Sequence, residues 1–402
     1  MKKLSAFIIT AAILCSSLFA KGFFGSRFFE YKITAPFSVT NNVFALNDIM
    51  KETVVIDLRE IANSIPNDGL VLTAGTMPSV EMNLNIAAVS VGLKAGVDVT
   101  TKLALSRGLF DFVGKGLSVG EELDITLSPT LDVFAFSELN VGIKFSRFNM
   151  YVRPGVFIPL VSTAGSSGGI KIVNNEDGSI KITTSSKIDV YSAVDINDLS
   201  SGEITTEDIQ TISSKGMGFD LALGLALPIS RTMVVSADAR VPMVPAKLLS
   251  HSSMLLENET TISMDSINDM NFEMPNPEFT PGEAADYKVN RPLKLVGYLD
   301  FYPVGNFIDL RVGAGLGVYH PFMETAKAYP QYYAGLTLNL INMLKLSLST
   351  EYTDQLFIHQ LGTVFNLRLV EIDAGVSLQS SDFAKSWLVS GAGAYVVVCV
   401  GF

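Results

Sequence analysis

Strict alternation of apolar and polar residues limits what this chain can become. In "FIDLRVGAGLGVY" the apolar Ile308, Leu310, Val312, Ala314, Leu316 and Val318 alternate with Asp309, Arg311, Gly313, Gly315 and Gly317. "MLKLSLSTEY" sets Leu344, Leu346 and Leu348 against Lys345, Ser347 and Ser349, and "VEIDAGVSLQ" sets Val370, Ile372, Ala374 and Val376 against Glu371, Asp373, Gly375 and Ser377. Successive side chains of a strand point to opposite faces, so each segment reads as a strand with one apolar face and one polar or small face. Residues 88–106 repeat the pattern with Lys94 and Asp98 on the polar side. Nineteen residues exceed the roughly 9–11 that cross a bilayer as a strand, so this strand is expected to project beyond the membrane.

Thirteen such segments can be read, near 80–86, 88–106, 131–146, 150–162, 217–228, 232–243, 293–303, 307–319, 331–341, 344–354, 357–369, 370–380 and 388–402. Single-chain bacterial barrels have even strand numbers. The expectation is therefore fourteen strands, one of them hidden. Tight turns at "SRFN", "PISR", "PVGN", "LIN" and "RLVE" interleave with long joins at 163–216, 244–290 and 320–330. Short turns on one side and long loops on the other are an outer-membrane pattern, and "NEDGS" reads as a small hairpin turn inside its loop.

Composition settles which side faces out. A soluble sandwich shows the same period with its apolar face inward, but 48% of this chain is hydrophobic and only 17% charged. No apolar run long enough for a spanning helix occurs beyond the N-terminus. The fold class expected is all-β, a transmembrane antiparallel barrel in the cell outer membrane, in contact with its lipid. "LSAFIITAAILCSSLFA", flanked by Lys2, Lys3 and Lys21, reads as a signal peptide over 1–20. Leu14 before Cys15 argues against lipidation. Its removal leaves Cys399 as the one cysteine, so no disulfide framework is expected. Net charge falls from −11 to −13 without Lys2 and Lys3, which disfavours nucleic acid as a partner.

Residues 21–79 read differently, as an N-terminal plug ahead of a barrel over 80–402, with a periplasmic extension or part of the first strand as the alternatives. "KGFFGSRFFEY" groups Phe23, Phe24, Phe28, Phe29 and Tyr31, candidates for an apolar ligand or plug surface. Leu46, Met50, Val54, Leu58 and Ile61 form one stripe of a short helix. The candidate lumen-facing residues are Lys94, Asp98, Arg240, Asp300, Asp309, Arg311, Lys345, Glu371 and Asp373, together with Lys144, Arg153, Asp220, Asp238, Lys294, Glu351 and Arg368. At the C-terminus Val398, Val400 and Phe402 share a face opposite Tyr395, a strand suited to an aromatic girdle.

Histidines would be the usual acid–base groups of a barrel-rim hydrolase. His359 falls on the lipid-facing parity, His320 precedes Pro321, and His251 has serines beside it but no acid at fixed spacing. No enzyme, metal or cofactor is expected.

The signal peptide, the pre-barrel segment, fourteen strands and a terminal Phe402 together resemble the long-chain fatty-acid transporter (FadL-like) outer-membrane proteins. "LFDFVGKG" and "KIDVYSAVDINDL" look like the FadL-like barrels of treponemes and related spirochaetes. The resemblance is architectural: the family's Asn-Pro-Ala motif is missing, and no ligand residue carries over. It implies uptake of hydrophobic molecules such as long-chain fatty acids past a plugged lumen, and a C-terminal strand (Tyr395, Val398, Val400, Phe402) presented to the barrel assembly machinery. A general diffusion porin and a surface adhesin or antigen barrel stay open beside it.

Overall fold

The computed structural model describes residues 27–43, 58–67, 69–145, 148–163, 165–195, 198, 205–262, 278–305, 307–324, 326–341, 343–353, 356–387 and 390–402. The signal peptide, Phe23, Phe24 and most of the stripe beginning at Leu46 lie outside these residues.

Nineteen strand segments form one antiparallel sheet: β1 (Phe29–Asn41), β2 (Leu70–Thr76), β3 (Ser79–Ile86), β4 (Val89–Leu105), β5 (Glu122–Lys144), β6 (Asn149–Ser162), β7 (Ser167–Asn174), β8 (Ile180–Ser192), β9 (Gly218–Pro228), β10 (Met233–Val244), β11 (Ala246–Ile262), β12 (Glu278–Val289), β13 (Leu293–Phe301), β14 (Ile308–Tyr319), β15 (Lys327–Ile341), β16 (Leu344–Thr353), β17 (Leu356–Asn366), β18 (Val370–Ser380) and β19 (Gly391–Gly401). Ten of them join end to end in five pairs. β2 and β3 both pair with β1 and both with β4, as one interrupted strand would. β6 and β7 both pair with β5, and β8 and β9 both pair with β6; β10 runs on into β11 and β12 into β13, with β10 pairing β9 and β13 where β11 pairs β8 and β12. Nineteen segments in which five pairs each act as one strand give fourteen staves, and β1 pairs with β19 from Glu30↔Gly401 to Thr40↔Gly391 to close the ring.

The hidden strand is β1. Residues 29–41 are therefore barrel wall and not plug, as are 70–76, and the barrel begins at Phe29 rather than residue 80. Phe29, Tyr31, Ile33, Ala35, Phe37 and Val39 alternate with Glu30, Lys32, Thr34, Pro36, Ser38 and Thr40, so pairing satisfies the backbone on both edges while one face meets lipid. Between β1 and β2 the described chain forms helix α1 (Leu58–Ser64), which packs against α2 (Arg107–Lys115). The joins read as loops at 163–216 and 244–290 contain β7, β8, β11 and β12. "NEDGS" turns the β7–β8 hairpin, with Asn174 opposite Ile180.

Side-chain exposure shows which face meets lipid. Leu93, Val312, Leu348, Leu361, Val376 and Val396 are all exposed, each on the parity expected to be apolar, and Phe37 of β1 is exposed with them. A ring of staves closed by β1 and β19 satisfies its ladder hydrogen bonds internally where it crosses lipid, which lets so apolar an exterior sit in a bilayer. Leu348 is 51% and Val376 57% exposed, whereas Glu371 and Asp373 line an inner cavity.

Four of the five interruptions fall along one row across the sheet, which crosses β6 at Pro159, short of the β6–β7 break. Met77–Pro78 lies across from 97–98 of β4, Asp98 is opposite Phe134, and Phe134 is opposite Pro159. The next stave leaves the sheet between β8 and β9, over 193–217, and carries α3 (Thr206–Thr211) and a π-helical turn (Ile212–Gly216). The row continues through Pro245 and then Asn290–Arg291–Pro292. Four prolines (Pro78, Pro159, Pro245, Pro292) mark it, residues without the N–H that a ladder needs.

Candidate functional site: a buried cluster on the luminal wall

Beside this seam the inner face of half the wall is packed. Register places Lys94, Glu138, Gly155 and Asp220 side by side on four neighbouring staves. Glu138 and Asp220 are each 1% exposed. They converge over Gly155, where a Cβ would stand 2.3 Å from Asp220 Oδ1 and 3.2 Å from Glu138 Cγ, so only glycine leaves room. Arg291, thrown inward by the break between β12 and β13, donates from Nη1 to Glu138 Oε1 at 3.0 Å and to Asp220 Oδ2 at 2.9 Å. Arg240 Nη2 donates to the same Glu138 oxygen at 2.7 Å. Arg153 Nη1 lies 3.6 Å from Glu138 Oε2.

Aromatic rings extend the cluster. Arg291 and Lys94 sit 5.0 and 5.6 Å from the centroid of the Phe136 ring. Phe136, the fully buried Phe157 and Ala246 form an apolar core joined by Met77 and Phe134. Phe157 rests on Gly218 at the start of β9, where any Cβ would enter its ring. Tyr151 donates its hydroxyl to Asp238 at 2.5 Å and stacks under Arg153. Two buried carboxylates facing three arginines in a low-dielectric interior are held by mutual pairing; removing one partner leaves a buried charge without compensation.

The remaining candidates lie elsewhere on the wall. Arg311 clasps Asp300 through Nε and Nη2 at 2.6 and 3.1 Å. Asp309 accepts from Asn339 at 3.1 Å, and Lys345 stands opposite Asn339 on β15 and Val364 on β17. Asp98 stands at the seam opposite Phe134. Arg27, Glu30, Lys32, Glu371, Asp373, Val397 and Cys399 line a polar cavity of about 250 Å³, beside which Tyr395 donates to Asp373 at 2.9 Å. Phe29 and Tyr31 share the parity of exposed Ile33 and Phe37, so they point away from this cavity and are not luminal plug residues. Phe28 and Phe29 contact the ring of Phe402 at centroid distances of 6.2 and 5.9 Å.

Glu138, Gly155 and Arg291 escape a reading of the sequence. Glu138 shares the even parity of Phe134 and Phe136, and "NRPL" puts an arginine beside a mid-stave proline; those were the available signals. His251 does have an acid: its Nε2 lies 2.8 Å from Asp189 Oδ1, supplied by β8 across the β8–β11 pairing and 62 residues away in sequence. Lys187 Nζ sits 3.1 Å from the same oxygen. Burial pushes the Asp189 carboxyl up, but the hydrogen bonds from His251 and Lys187 outweigh it and hold the group below its ordinary value. Tyr191 stacks between His251 and Tyr287. His359 lies on the lipid-facing side under a helical turn, α4 (Phe383–Ser386): Trp387 stacks on it at 3.7 Å and Ser386 Oγ is 2.7 Å from its Nε2.

No protein-family model and no curated protein matches the chain. Among solved structures, the toluene transporter TodX of Pseudomonas putida is similar with a TM-score of 0.52 at 8% identity, over 93% of this chain and 90% of that one. A Pseudomonas aeruginosa FadL homologue gives a TM-score of 0.45 at 9% identity, over 93% and 90%. The first of these shows a shared fold. With its edgeless wall and apolar exterior, the chain is by build an outer-membrane barrel.

Proposed function

We propose that this barrel admits hydrophobic small molecules through the outer membrane, its lumen constricted at rest by its own wall. The observation that carries the reading is the burial of Phe157, Glu138 and Asp220 on the inner face. The wall charges of a water-filled porin are solvated; here two carboxylates are sealed beneath arginines and phenylalanines. The fold shared with a toluene transporter supports the same reading. An amphiphile such as a long-chain fatty acid suits the neighbourhood best, because the partly buried Phe134 and Met77 edge the apolar core while Arg153 and Arg240 of the adjoining cluster attract an anionic head. The likeness to spirochaete barrels rests on the two sequence stretches quoted above and adds no ligand.

The test is reconstitution of the whole barrel in planar bilayers and detergent. A fluorescent fatty acid and an apolar aromatic should bind while the intact protein shows little steady conductance. Large steady conductance with no binding of either probe favours a diffusion porin. Deleting 21–45 cannot serve as a plug-removal test, because it removes β1 and opens the ring.

A further inference from the structure

The barrel's two rims differ in chemistry, and the short-turn rim is the unusual one. Six tight connections lie there: 87–88, 145–148, 229–232, 302–307, 342–343 and 367–369. Each exposes at least one large apolar side chain at the tip or beside it: Ile86 54%, Phe145 46%, Ile229 62%, Phe307 45%, Ile341 61% and Leu369 61%. Ser146, Ser230, Gly305, Asn306 and Asn342 are residues that turns in water favour, so it is the apolar residues set beside them that depart from a water-facing rim.

Charge makes the same division. These six connections contain Arg147, Arg231 and Arg368 but no aspartate or glutamate, although the whole chain has 40 acidic against 29 basic residues. On the opposite rim every connection (42–69, 106–121, 175–179, 263–277, 320–326, 354–355, 381–390) carries at least one acid. Arg368, expected on the luminal face, instead stands in the β17–β18 turn and adds an independent sign. Its φ is 71°, a left-handed conformation that costs a non-glycine residue energy. Asn366 holds the turn by accepting the Arg368 N–H at 3.0 Å. Glycine would fill that position without strain, so the arginine side chain is what the turn presents.

We infer that the short-turn rim is seated in the membrane rather than held clear of it: its apolar tips lie at the boundary between acyl chains and headgroups, and Arg231 and Arg368 take the lipid phosphates. The apolar tips continue the lipid-facing wall, as Ile86 and Val89 at the β3–β4 turn continue Leu84 and Val91, all four exposed. Arginine over an apolar surface is the composition of interfacial segments, with the stem in the apolar layer and the guanidinium at the phosphate. A protein partner on this rim is the competing occupant, and the test separates the two.

The full-length protein, carrying Cys399→Ser, is folded into phosphatidylcholine vesicles containing phosphatidylglycerol. Ile229→Cys or Leu369→Cys is labelled with an environment-sensitive fluorophore, and Ile209→Cys serves as control; Ile209 is a comparably exposed apolar residue (56%) in α3. Labels at 229 and 369 should be quenched by nitroxide-bearing phospholipid and shielded from aqueous iodide, whereas the label at 209 should be reached by iodide. Arg368→Glu should raise iodide access at 369 roughly fivefold, the weight of one basic residue near a charged membrane surface, and Arg368→Lys should leave it low. Heat-modifiable migration on gels confirms that each variant is folded. Iodide quenching at 229 and 369 equal to that at 209, or no lipid quenching, overturns the inference and leaves the rim in water as a docking face. Unchanged access in Arg368→Glu overturns the role given to the arginine.

Discussion

Phe29 and Phe402 exchange both backbone hydrogen bonds: each N–H donates to the other's carbonyl at 3.1 Å. The ring closes there. Two otherwise open strand edges satisfy one another at a site where lipid offers no donor or acceptor.

Deleting Phe402 removes two of these bonds and its ring contacts with Phe28 and Phe29. The folded, heat-modifiable fraction in the outer membrane should fall, and Phe402→Leu, which keeps the backbone bonds, should lose less. Equal assembly of all three proteins counts against both the closure argument and a role for Tyr395, Val398, Val400 and Phe402 as an assembly signal.

Wall parity predicts a labelling contrast between adjacent residues. Leu346 is exposed on the outer face, and Lys345 beside it points the other way. A cysteine at 346 should react with lipid-soluble maleimides and resist aqueous ones, with the order reversed at 345. Identical aqueous labelling of both would remove the membrane assignment.

The Glu138 cluster predicts a stability cost and a conductance gain together. Glu138→Ala leaves Arg291 and Arg240 buried with a single remaining carboxylate, an arrangement expected to cost about 3–5 kcal/mol. Unfolding of the vesicle-inserted barrel in urea should shift to lower denaturant, and steady bilayer conductance should rise. Gly155→Ala should act in the same direction without removing any charge, because its Cβ would displace Asp220. A stability loss with unchanged conductance would make the cluster a structural element only.

Asp189 predicts a pH window. Its carboxyl is held below the ordinary value by His251 and Lys187, so the folded state binds fewer protons there than the unfolded one. The stabilisation is present above the unfolded value of about 3.9 and is lost as pH falls through the lower folded value. Hydrogen exchange in β8 and β11 should be flat from neutral pH down to about 5, after correction for intrinsic rates, and should accelerate below about 4. Asp189→Asn should remove that acceleration; its persistence would place the acid sensitivity elsewhere.

Parity, the tight turns and the even strand count were legible in the sequence because they are local: two residues along a strand always return to the same face. β1 was legible in principle too, since "FEYKITAPFSVT" alternates cleanly. Its cluster of aromatics and the helical stripe that follows point toward a plug, and only pairing with β19 shows the segment to be wall. β7, β8, β11 and β12 hid for another reason. They are continuations of staves beyond a break, and a break looks like a loop until the strand on either side is seen to share one partner.

Which residues meet across the wall was not local at all. Lys94, Glu138, Gly155, Asp220 and Arg291 are spread over nearly two hundred residues, and their convergence depends on the sum of five strand registers. A slip of one residue in any of these pairings would move a member of the cluster toward the lipid face. The four seam prolines could each be read as a local interruption, but not as one row. The sequence by itself determined a lipid-facing barrel with short turns at one rim and long joins at the other; the tertiary structure decided where that barrel is sealed, because register is set only when every neighbouring strand is in place.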